Sequence, residues 1–153
     1  MMDTGELSRE ATTDYRRLDD RQAGAMPTLP IRSEHNFRKL KIYQRTLGLV
    51  KEVYALTRKL PRDEVYGLYA QVRRAALFVL LNIAEGSGAK SNREFVRFLE
   101  IARGSLYEVD ACLAVSVETR LLPQAECQRI QQEADQLSAV ITRLRDRLLR
   151  GPA

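Results

Sequence analysis

Residues 37–60 read FRKLKIYQRTLGLVKEVYALTRKL, and this stretch decides the fold. At about 100° per residue, Leu40, Tyr43, Leu47, Val50 and Tyr54 fall on one stripe of a helix. Ile42, Leu49, Val53, Leu56 and Leu60 fall on a second stripe, read as roughly the far side. A helix in one small bundle needs a single apolar stripe. A second stripe must be covered, or it stands as an exposed patch. The expected cover is another copy of the chain. Ile42, Leu49, Val53 and Leu56 are therefore candidate subunit contacts.

Outward from this helix the chain punctuates itself. Asn36 is a candidate N-cap, and Leu60-Pro61 ends the helix because the residue before proline leaves the helical region. Asp63 can cap a second helix over about Glu64 to Glu85. Its main face is Val65, Leu68, Tyr69, Val72, Ala76, Val79 and Ile83. Leu77, Phe78 and Leu81 make its C-terminal half apolar nearly all round, as in a segment buried on both sides. Phe78 and Leu81 thus join the candidate subunit contacts.

Gly86-Ser87-Gly88 reads as a stop, with Gly86 suited to a left-handed position after the helix. Ser91 and Glu94 form a capping box for a third helix to about Glu118. Gly104 costs roughly 1 kcal/mol in a helix interior, so the small residues Ala102, Gly104 and Ser105 point to close approach of another helix. Pro123 suits the first turn of a fourth helix. There Ile130, Ala134, Leu137, Ile141, Leu144 and Leu148 alternate spacings of four and three, a bundle seam. Helices with short connections predict an all-α, antiparallel up-down-up-down four-helix bundle.

Residues 1–34 read as a flexible tail, with few large apolar residues, mixed charge, and Pro27 and Pro30 near its end. The bundle domain is residues 35–153. Of 153 residues, 44% are hydrophobic, with only 8 Gly and 5 Pro, which suits one helical domain. The longest apolar run, Ala75 to Leu81, is too short to cross a bilayer, which takes about 20 residues. No secretory signal is read in Met1 to Glu10, and Cys112 and Cys127 show no metal-ligand spacing. A reduced, cytoplasmic setting is expected.

Charge is divided unevenly. Residues 1–34 hold 5 basic and 7 acidic side chains, net −2; residues 35–153 hold 20 and 13, net +7. A basic domain invites an anionic partner, nucleic acid first. Arg38, Lys39, Lys41 and Arg45 crowd the start of the first helix. Arg143, Arg147 and Arg150 share a face near the end of the fourth. In an antiparallel bundle these groups lie at one end, a candidate phosphate-contacting patch for RNA or DNA. Arg73-Arg74 and Lys90 with Arg93 are assigned to the other end. Cations at a helix C-terminus also complement its dipole, so helix 4 has a second explanation; those at the start of helix 1 do not.

Catalytic chemistry finds little support. His35 is the single histidine and sits at the edge of the tail, so a nucleophile paired with a histidine base is not expected. Glu94, Glu100 and Glu108 lack the Glu-x-x-His element of di-iron bundles, and Glu100 has an ion-pair partner in Arg103. Glu85 opposes the helix dipole; it either meets a specific cation or is solvated. The expectation is no catalytic site, no metal and no cofactor.

One ordered set of motifs carries a resemblance. Pro61, Glu64, Tyr66-Gly67-Leu68, Gln71 and Arg73-Arg74-Ala75-Ala76 come first. Asn82-Ile83-Ala84-Glu85-Gly86, Glu94-Phe95, Phe98-Leu99, Ala102-Arg103-Gly104-Ser105-Leu106 and Glu108 follow. Over about residues 37–150 the chain resembles the bacterial four-helix-bundle family of proteins encoded in 23S rRNA intervening sequences. Accessory variability proteins of diversity-generating retroelements are related to that family. The resemblance implies a ring-like homopentamer, a positive surface, nucleic-acid association and, for the retroelement branch, a reverse-transcriptase partner. It implies no enzymatic activity. One departure is that Phe78-Val79-Leu80-Leu81 stands where the family commonly has Ser-Ile-Pro-Ser, which removes a helix-kinking proline. The expected function is a non-enzymatic, homo-oligomeric bundle that binds nucleic acid or a nucleic-acid enzyme. The alternative is a protein-binding scaffold.

Overall fold

The structure, a computed structural model, describes residues 37–150. The tail, His35 and the proposed cap Asn36 lie outside them. Among the described residues there are four α-helices and no strands: α1 (Lys41–Thr57), α2 (Leu68–Ser87), α3 (Asn92–Glu118) and α4 (Gln124–Arg150). Each of α1 and α3 packs against α2 and α4.

The boundaries follow local chemistry. Phe37–Lys39 forms a 3₁₀ turn, and α1 begins after Leu40 without a side-chain cap. Past Pro61, Arg62–Glu64 makes a second 3₁₀ turn. Gly67, at φ −95° and ψ −115°, delays α2 to Leu68, four residues later than the sequence suggests. Glu64 supplies the missing cap, since its Oε2 accepts from the Leu68 N–H at 3.3 Å. α2 then runs unbroken through Phe78-Val79-Leu80-Leu81, as expected once the proline is gone. At α3, Ser91 Oγ accepts from the Glu94 N–H at 3.2 Å, and Glu94 Oε2 accepts from the Lys90 N–H at 3.0 Å.

Two glycines are read differently by the structure. Gly86 is not a left-handed stop; it is buried inside α2. A Cβ there would stand 2.7 Å from Phe95 Cδ2 and 2.7 Å from Phe98 Cβ, so glycine lets α2 and α3 touch. Gly104 is the reverse case. A Cβ there would meet nothing within 4 Å, so no helix of the same chain explains it.

The core is one cluster drawn from all four helices: Leu49 and Val53; Val72, Val79 and Ile83; Leu99, Leu106, Val109 and Leu113; Ile130, Leu137 and Ile141. This corrects the reading of helix 1. Ile42, Leu49, Val53 and Leu56 are buried in the chain's own core and cannot serve as subunit contacts. Leu40, Tyr43, Leu47 and Tyr54 of the other stripe are half-buried against the same core. At about 100° per residue the stripes are centred roughly 120° apart, not 180°. They form one broad arc facing two neighbours, α2 and α4. Phe78 and Leu81 are also not buried on both sides, being 39% and 53% exposed.

Candidate nucleic-acid interface

Helices α1 and α4 are joined by ion pairs whose order fixes what lies beside what. Lys59 Nζ meets Glu126 Oε1 at 2.6 Å, Arg129 Nε meets Glu52 Oε2 at 3.4 Å, and Arg45 meets Glu133 at 2.9 Å. Numbers fall along α4 as they rise along α1. The segment from Phe37 to Lys41 therefore lies level with the later turns of α4. The two basic groups expected at one end are brought to one end.

Within that end the cations differ in availability. Arg45 is bound to α4, donating from Nε and Nη2 to Glu133 at 3.0 Å each and from Nη2 to Gln136 Oε1 at 3.1 Å. This corrects its assignment: its charge is already met. Arg38 lies over the Phe37 ring at 4.8 Å, and Phe37 stands edge-on to Tyr43 at 4.9 Å. Gln44 Nε2 fixes this turn by donating to the Arg38 carbonyl at 3.0 Å. Arg38, Lys39 and Lys41 make no ion pair among the described residues. The same holds for Arg143, Arg147 and Arg150. The last three line an open groove of about 500 Å³ with Val140, Leu144 and Asp146.

The acids nearby are occupied. Asp146 Oδ1 accepts from Arg145 Nε at 2.9 Å and Nη2 at 2.8 Å. Arg145 Nη1 also reaches Glu100 Oε1 at 3.0 Å, and Glu100 Oε2 takes the expected ion pair from Arg103 at 2.7 Å. Asp146 first, then Glu100, hold the Arg145 guanidinium above its ordinary value. With its one carboxylate, Asp146, tied to Arg145, the groove leaves Arg143, Arg147 and Arg150 exposed.

The loop between α2 and α3 belongs to this end too. Asn92 Nδ2 donates to the Leu148 carbonyl at 3.2 Å, placing Lys90 and Arg93 beside the end of α4. This corrects their assignment to the far end: the turn after Gly86 returns the chain to where α4 finishes. The sequence carried that signal: a connection from the second to the third helix lies at the end where the fourth finishes. Arg73 does lie elsewhere, and it is structural. It donates from Nε to Thr57 Oγ1 at 2.8 Å and from Nη2 to the Tyr54 carbonyl at 2.9 Å, between the rings of Tyr54 and Tyr69.

The remaining candidates are placed as follows. Glu85 is exposed and makes no ion pair among the described residues. Glu94 caps α3, and Glu108 Oε2 accepts from Gln71 Nε2 at 3.3 Å. No group of three or more His, Cys, Asp or Glu able to hold a metal occurs among the described residues. Cys112 and Cys127 are free thiols, and burial, aided by Glu108 and Glu126 respectively, pushes both up. Thiols so shifted are poor nucleophiles. No helix of the described residues is long and apolar enough to cross a membrane.

What this end can do is hold phosphate. Exposed cations around an open groove offer charge without a cavity shaped for a small molecule.

Comparison with known proteins agrees on fold and family. A protein of unknown function from the S23 ribosomal protein family of Bacteroides thetaiotaomicron has a crystal structure similar to this one. The TM-score is 0.65 at 17% identity, over 69% of this chain and 99% of that chain. At that identity the likeness is one of fold. No curated protein matches the chain. The family model described as 23S rRNA-intervening sequence protein matches residues 38–143, which include all four helices up to Arg143 of α4. Over more than half of its length, then, this chain belongs to the 23S rRNA-intervening sequence protein family.

Proposed function

We propose that this protein is a non-enzymatic up-down-up-down bundle that assembles with itself and binds nucleic acid through its basic end. One observation carries the reading. Arg38, Lys39, Lys41, Lys90, Arg93, Arg143, Arg147 and Arg150 gather at one end, and none has an ion pair among the described residues. Such a cluster repels itself unless counterions or phosphates neutralise it. In a homopentameric ring, the assembly the family resemblance implies, the patch would repeat around one rim. Weak sites would then act together. The free thiols suit work in the cytoplasm. A nucleic-acid enzyme such as a reverse transcriptase is the protein partner this reading carries.

The contacts on offer are to phosphate, so binding should be largely sequence-independent and steeply weakened by salt. The test is fluorescence anisotropy of short RNA and DNA at several salt concentrations. Changing Lys41 and Arg147 together to Gln should lower affinity for every sequence and flatten the salt slope by about 2. Arg45→Gln should change it less, because Glu133 already neutralises that charge. Undetectable binding at low salt would discard this reading and leave the protein scaffold. The exposed apolar residues of α2 and α3 are the observation that favours that second reading.

A further inference from the structure

The outer face of α2 and α3 holds four of the eight exposed large hydrophobic side chains of the described residues. Phe78 and Leu81 of α2 are 39% and 53% exposed; Ile101 and Val115 of α3 are 46% and 50% exposed. They share a face. Gln71 bonds Glu108 across the two helices, and Gly86 abuts Phe95 and Phe98. Between those two points Phe78 and Leu81 stand level with the turn from Ile101 to Gly104. On α3, Ile101, Gly104, Glu108 and Val115 follow one another at spacings of three, four and seven, along one side of the helix.

Gly104 sits in the middle of this side, is exposed, and has nothing within 4 Å of where its Cβ would be. An interior helical glycine destabilises the isolated helix. It has no packing reason within the chain, whereas Gly86 plainly has one. A reason outside the chain is a second helix backbone approaching closely at Gly104, flanked by apolar side chains that exclude water.

Charge selects the occupant. Residues 35–153 carry 20 basic and 13 acidic side chains, so copies repel one another over most of their surface. On this face the exposed Arg74 and Arg97 are interspersed with the exposed Glu85 and Glu108, so it bears both signs. Nucleic acid gains nothing there. Another copy of this chain can approach there with the least repulsion and find opposite charges to meet.

We propose that the α2–α3 face, centred on Gly104 and flanked by Phe78, Leu81 and Ile101, is where a neighbouring copy of this chain docks. The proposal rests on the reading that the chain self-assembles, and it replaces the buried residues of α1 with a named surface.

Sedimentation velocity of the full chain over a wide concentration range tests it, with helix content followed by circular dichroism. The unaltered chain should assemble. Gly104→Leu should raise the dissociation constant at least tenfold without loss of helix content, since leucine is a better helix former and its Cβ has nothing within 4 Å in the chain. Leu81→Glu with Ile101→Glu should raise it at least a hundredfold. An assembled chain whose state neither change alters would overturn this face and leave self-assembly standing. An unaltered chain that stays monomeric throughout would overturn both, and the face would then belong to a different protein.

Discussion

Two seams of the molecule solve the same problem differently. Between α1 and α4, three ion pairs lie along the surface: Arg45 with Glu133, Glu52 with Arg129 and Lys59 with Glu126. Between α2 and α3, close contact is made by removing a side chain, at Gly86 against Phe95 and Phe98. Above the shared apolar core, the first seam is edged by partly solvated ion pairs, which can re-form after small shifts. The second is held by fit. Surface pairs are typically worth about 1 kcal/mol or less, whereas overpacking a tight contact costs about 1–3 kcal/mol.

That contrast is open to attack in order of size. Gly86→Ala should destabilise the fold by about 2 kcal/mol, because the new methyl finds Phe98 Cβ, which cannot move without shifting the backbone. Urea unfolding would read this as a lower midpoint at unchanged slope. Arg45→Ala should cost about 0.5–1 kcal/mol, since its fork on Glu133 is well aligned but partly solvated. Lys59→Ala should cost about 0.3 kcal/mol, because Lys59 is 53% and Glu126 39% exposed to water. Repeating the series in 1 M salt, where charges are screened within about 3 Å, should shrink the last two effects and leave the first intact. Equal salt sensitivity of all three would erase the distinction between the seams.

Much of this architecture was legible in the sequence, because its signals are local. Pro61, the Ser91–Glu94 box and Pro123 mark boundaries through chemistry that acts within four residues. The seam from Ile130 to Ile141 is set by helical period alone. What could not be read depends on neighbours. The two stripes of α1 declare what must be buried, but not by which helix; two neighbours of one chain cover them. The same Arg45 reads as an open cation until Glu133, 88 residues away, is placed against it. At the end of α3, Arg120 takes the left-handed conformation, φ 57°, at a position where glycine is the usual signal. There the Leu121 N–H donates to the Ser116 carbonyl at 2.9 Å and the Arg120 N–H to that of Val117 at 2.9 Å, closing the helix without that signal. Of the candidate site, the gathering of Arg38, Lys39 and Lys41 with Arg143, Arg147 and Arg150 followed from topology. The contribution of Lys90 and Arg93 follows from the same topology, since the loop between the second and third helices lies where the fourth ends.

Arg73 and Arg74 are adjacent and identical, yet they should drift at very different rates over evolutionary time. Arg74 lies on the exposed face with its guanidinium 5.1 Å from the Phe78 ring, a place where a lysine would supply the same charge. Arg73 is sandwiched 4.2 Å and 3.8 Å from two tyrosine rings while its fork serves a hydroxyl and a carbonyl. A lysine keeps the charge but is not planar and cannot lie flat between rings while donating along two fixed directions. Exchange of arginine for lysine, among the mildest of substitutions at one residue, is therefore disruptive at the next.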